Sequence, residues 1–113
     1  MGIYKTSHVV FGWKLPCDLQ DKHGNKINVY EEEFLPYIEG HPGIPETIIK
    51  DGVRGDYVVF GLPLASVSDS GDFQYFDVPS KEYACGLRIK FEQLFKIDSP
   101  IEDPVLLLFI HGS

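Results

Sequence analysis

A chain of 113 residues is long enough to bury one sizeable hydrophobic core and too short for two. Its composition, 43% hydrophobic with 13% aromatic and 24% charged, excludes the disordered class, in which too little apolar surface is available to offset chain entropy. Seventeen acidic against ten basic side chains leave a net charge of −7, which disfavours the phosphate-neutralising mode of nucleic-acid binding.

Ile3, Tyr4, Val9, Val10, Phe11, Trp13 and Leu15 open the chain, and from Phe11 large apolar residues alternate with Gly12 and Lys14 in the period of a strand. No apolar signal-type segment follows Met1, and Cys17 and Cys85 stand far apart, so the expectation is a cytoplasmic chain with free thiols. Asp21 to Lys26 is polar and contains Gly24, which suits a turn that closes a hairpin or leads into a helix.

Over residues 28–39, Asn28 precedes Glu31 with the spacing of a capping box, and Glu31, Glu32 and Glu33 load the first turn where the helix dipole favours negative charge. Pro36 removes an intrahelical bond, so that helix must be short, start late or kink. Gly40, Pro42, Gly43 and Pro45 form a rigid connection, after which Glu46 to Asp51 reads as one or two helical turns ended by Gly52.

Tyr57 to Val67 is a second strong strand, and the turn Asp69-Ser70-Gly71-Asp72 is expected to join it in a hairpin to a shorter strand, Phe73 to Val78. Ser80 caps the clearest helix, 81–96, which places Tyr83, Leu87, Phe91, Leu94 and Phe95 on one face. Gly86 inside it costs about 1 kcal/mol relative to alanine. After a linker from Pro100 to Pro104, the apolar run Val105 to Ile110 is too short to span a bilayer and reads as a strand buried on both faces. The tetrapeptide VVFG occurs at 9–12 and again at 58–61, as if two core strands used one device: bulky residues to fill the core, then a glycine for a bulge or a close approach.

Motifs for chemistry are sparse. His8, His23, His41 and His111 do not fall at zinc spacings, neither cysteine has a near partner, and Asp69 to Asp72 lacks the ligand series of a calcium loop, so no metal or cofactor is expected. There is no nucleophile elbow and no Gly-rich phosphate loop. Arg54 lies between Gly52 and Gly55 in a segment whose amides could face an anion, although a tight turn explains it as well. The acidic groups Glu31 to Glu33, Asp69, Asp72 and Asp77, and Asp98, Glu102 and Asp103 either imitate a phosphate backbone or solubilise the surface. Trp13, Tyr75 and Phe76 are interface anchors if exposed and core if buried.

The segment Tyr4 to Leu15 with FGWKL, the central YVVFGLPLASVSD and the ending LLLFIHGS resemble a loose class of small uncharacterised accessory proteins of tailed bacteriophages and their hosts. The resemblance carries over no catalytic residue. It implies a protein of host-takeover or anti-defence type, acting in the host cytoplasm by binding.

The expected fold is one α+β domain over 1–113, a mixed or antiparallel sheet of about four or five strands with helix 81–96 packed on one face. Three functions fit. The first is a non-catalytic inhibitor of a host protein that uses an acidic and aromatic surface, with Trp13, Glu31, Glu32, Glu33 and Tyr75 as candidates. The second is an oligomeric sponge for a small anionic, nucleotide-like ligand, held by Lys14, Arg54, His111 and aromatic rings. The third is a small enzyme using His111 or His8.

Overall fold

The computed structural model describes residues 5–50, 57–68 and 73–112, with side chains described for 6–50, 57–67 and 73–110. The alternating segments at the start and centre of the chain form β1 (Lys5–Pro16) and β3 (Tyr57–Ser68), which pair antiparallel. Two further strands, β2 (Thr47–Lys50) and β4 (Val105–Gly112), complete a four-stranded antiparallel sheet in the order β2-β3-β1-β4. A short helix, α1 (Leu35–Glu39), precedes β2, and the main helix, α2 (Lys81–Phe95), precedes β4. The result is an α+β domain, as the residue pattern leads one to expect.

Successive strand residues point to opposite faces, so β1 and β3 send Phe11, Trp13, Leu15, Val58 and Phe60 to one side, where Leu87, Phe91 and Phe95 of α2 meet them. The rings interlock. Trp13 stacks on Phe60 at 6.5 Å, Phe91 sets its edge against both at 5.6 and 5.8 Å, and Phe95 does the same to Phe60 at 5.6 Å. Burying each such ring is worth about 1.5–3 kcal/mol, which makes this aromatic layer the main source of stability.

The helix is held at its start, side and end. The Ser80 hydroxyl accepts from the Tyr83 amide at 3.2 Å, closing the first turn. Glu46, 2% exposed, accepts from the Tyr83 hydroxyl at 2.5 Å and from Lys90 Nζ at 2.9 Å, tying α2 to the entry of β2. Burial, followed by the hydrogen bond and the charge of Glu46, pushes the Tyr83 phenol above its ordinary range. Arg88 lies over the Trp13 ring and donates to Ser99 Oγ, to the carbonyls of Pro100, Ile101 and Glu102, and to the Asp103 carboxylate. Trp13 Nε1 donates to the Glu102 carbonyl at 2.9 Å, so the linker into β4 is strapped to the core from two directions.

The repeated VVFG has a structural explanation. Gly12 pairs with Gly61, the last residue of each copy, and a Cβ on Gly12 would lie 2.0 Å from the Phe60 carbonyl oxygen. A Cβ on Gly61 would lie 2.3 Å from the Phe11 oxygen. The glycines therefore serve close backbone approach, while the ladder irregularity falls elsewhere, between Val9 and Val10. That approach accompanies a sharp bend. Tyr57 sits opposite Pro16 and Phe109 opposite His8, about 26 Å apart along a flat strand, yet their rings meet edge to face at 6.1 Å. The helix-free face thus curls into a concave surface, and Val10 and Val59 on it are 0% and 2% exposed with no helix above them.

Several expectations are corrected. Glu46 to Asp51 is not helical where described: Thr47 to Lys50 is strand β2, because three β-branched residues lie beside the free edge of β3 and sheet pairing wins over a marginal helix. Residues 73–78 are extended but join no ladder, so the expected hairpin does not form; its turn, 69–72, lies outside the described residues. Pro63 and the nearby bulge interrupt the donors of β3 there, and the Gln74 side chain instead accepts from the Ser66 amide at 2.7 Å. Val105 to Ile110 is not buried on both faces. It is an edge strand, with Val105, Leu106, Leu108 and Ile110 between 45% and 78% exposed. The first helix is the short, late-starting form that Pro36 permits: Pro36 occupies the first turn, where a missing amide is harmless, and Asn28 Oδ1 accepts from the Tyr30 amide at 3.0 Å ahead of the helix.

Candidate functional site

Among the described residues, three surface features stand out beyond the core. The first is the extended segment leading into α2. Phe73 and Tyr75 are 90% and 95% exposed, and Phe76 and Val78 are exposed beside them, with the carboxylates of Asp77 and Glu82 close along the chain. Four apolar side chains within six residues, three of them aromatic, form a stripe held outside any ladder, with Lys81 beside the two carboxylates.

The second feature is the concave face. Lys14, Tyr57, Val59, Leu107 and Phe109 line a cavity of about 320 Å³. The Lys14 ammonium lies 5.7 Å from the Tyr57 ring centre, and His8 stacks on Phe109 at 5.4 Å. The bend builds this site, since it brings Tyr57 and Phe109 together from opposite ends of the sheet. Aromatic walls with one cation suit a small planar anion, and the volume is at the lower end for ligand sites.

The third feature is the outer edge of β4, where six successive apolar residues carry no charge and no proline. None of them belongs to the core cluster beneath α2.

The candidate residues are distributed unevenly over these features. Trp13 is 4% exposed and hydrogen-bonded, so it is a core residue and its role as a surface anchor is withdrawn. Tyr75 stands on the aromatic stripe, and Lys14 lines the cavity. Glu31, Glu32 and Glu33 are exposed ahead of α1, next to Tyr30, whose ring lies 4.6 Å from Lys50 Nζ. They belong to a different element from the stripe. Arg54 lies outside the described residues, and for His111 the structure gives only its backbone place in β4, opposite Thr6. Phe73, Tyr57 and Phe109 were not singled out from the sequence. Phe73 shares the polar, aromatic neighbourhood that marks Tyr75, whereas Tyr57 and Phe109 meet only because the sheet bends.

Among the described residues, no three His, Cys, Asp or Glu side chains gather to hold a metal ion, and no helix is long and apolar enough to cross a membrane. The comparisons with protein-family models, with curated proteins and with solved structures return no match.

Proposed function

We propose that the protein is a non-catalytic binding protein of the phage accessory type, which occupies a host protein, of a defence system or other machinery, through the acidic and aromatic surface at 73–82. The observation that carries this reading is the near-complete exposure of Phe73 and Tyr75. Two such rings offer about 300–500 Å² of contact area, and rigid aromatics of this kind dominate the energetics of protein interfaces. The surrounding carboxylates and the net charge of −7 select a partner with an apolar groove and a basic rim, and speed its encounter. Replacing both rings, Phe73→Ser with Tyr75→Ser, removes the anchors without touching the core. The expected outcome is loss of a partner that the unaltered chain captures, with an unchanged circular dichroism spectrum; capture that survives the double substitution contradicts the reading.

A second reading, sequestration of a small anionic ligand with an aromatic ring, is favoured by the concave cavity, where Lys14 lies over Tyr57 and Phe109 sets its ring against Tyr57. Its mark is a ligand of a few hundred daltons that stays with the purified protein.

A further inference from the structure

Among the described residues, no strand pairs with the outer side of β4. An edge strand presents a row of free amides and carbonyls, and soluble proteins blunt such edges with lysine, proline, bulges or very short strands. Val105 to Gly112 has none of these devices: it is eight residues long, regular in its register with β1, and uncharged from Val105 to Ile110. The opposite edge, β2, is four residues long and ends in Lys50. Among the described residues, β4 is therefore the long edge left open to pairing.

We infer that β4 is a self-association edge, at which two copies of this chain pair β4 with β4 antiparallel about a two-fold axis and join their sheets into one. Three observations select a second copy as the occupant. An incoming strand must be neutral and apolar on both of its faces, and β4 itself is such a strand. A two-fold axis normal to the sheet keeps each face on its own side, so the Leu106, Leu108 and Ile110 row meets the same row of the partner copy, and the Val105, Leu107 and Phe109 row likewise. No charge opposes a like charge along this strip, although each chain carries −7 overall. The area sets the strength. Four aliphatic side chains that are 45–78% exposed, with the backbone of one strand, fall below the roughly 800 Å² per partner of a standard interface. The dimer is accordingly a weak, concentration-dependent one, with a dissociation constant on the order of micromolar.

This inference uses a strand that the proposed partner site does not, although the two surfaces adjoin where Phe76 and Leu108 line one shallow groove. Sedimentation velocity from about 1 µM to about 1 mM, with amide hydrogen exchange at both ends of the range, tests it. The expected result is a shift from the 12.8 kDa chain to twice that mass, with slowed exchange of the amides from 105 to 112 at high concentration. Leu108→Lys, at a position 78% exposed and so tolerant of charge in the single chain, weakens association about a hundredfold or more by opposing like charges across the axis. Glu33→Gln makes the same change in net charge on another surface and leaves association intact. A single-chain mass at every concentration overturns the inference. So does a dimer that Leu108→Lys does not weaken, or one in which the β4 amides exchange as fast as in the single chain. Phe73→Ser with Tyr75→Ser leaves self-association in place, so its failure and failure of the partner reading are told apart.

Discussion

Gly12 and Gly61 show how much one missing side chain can decide. Each occupies the spot where a methyl group would overlap the backbone of the opposite strand, at 2.0 and 2.3 Å from a carbonyl oxygen. Gly12→Ala must push β1 from β3 at the bend, and the expected cost is about 3 kcal/mol or more, seen as a lower urea midpoint. An alanine variant as stable as the parent would show that the bend does not depend on this contact. Tyr83 makes a second prediction at this scale. Its phenol is held above the ordinary value near 10, first by burial and then by Glu46, so the unfolded chain releases this proton at a lower pH than the native one. The stabilisation is complete below about pH 10 and is lost as pH rises through the native value. Urea melts across that range are expected to show a fall in stability that Tyr83→Phe flattens, while the same substitution costs about 1–2 kcal/mol at neutral pH by leaving Glu46 one donor short. An identical alkaline slope in both proteins would contradict the assignment.

At the scale of elements, α2 was the most legible part of the chain. Its cap residue Ser80, its apolar recurrence at Tyr83, Leu87, Phe91 and Phe95, and its end within one residue of 96 all lie in local spacing, which is information a sequence carries directly. Gly86 is the one weak position. Nothing lies within 4 Å of where its Cβ would be, so Gly86→Ala is expected to stabilise the protein by about 0.5–1 kcal/mol, raising the thermal midpoint by a few degrees. A lowered midpoint would mean that the helix needs its glycine. The two long strands were equally readable. What could not be read depends on neighbours: Thr47 to Lys50 becomes a strand only because β3 offers an edge, and Phe73 to Val78 fails to become one because Pro63 and the bulge spoil that edge further along. An apolar run such as Val105 to Ile110 has the same letters whether it is central or peripheral, and only the order β2-β3-β1-β4 shows it to be peripheral. The candidate site was legible to the extent that local composition defines it, which is why Tyr75 is found and the Tyr57 to Phe109 contact is not.

For the whole molecule, the division of labour is clear. One face of the sheet and α2 hold the fold through an aromatic layer, and the remaining apolar surface is placed where it contributes nothing to that core. Phe73 and Tyr75 project from an ungathered segment, the concave face encloses a small cavity beside Lys14, and β4 leaves an apolar edge open. A chain with a net charge of −7 keeps such surface in water at a cost, and contact with other molecules is the use we propose for it. The most direct test is native mass spectrometry of the unaltered chain and of the Phe73→Ser, Tyr75→Ser variant after each has been exposed to a bacterial lysate. The account predicts a defined protein mass added to the unaltered chain and missing from the variant. The same added mass on both, or a ligand of a few hundred daltons and no added protein on either, would contradict it.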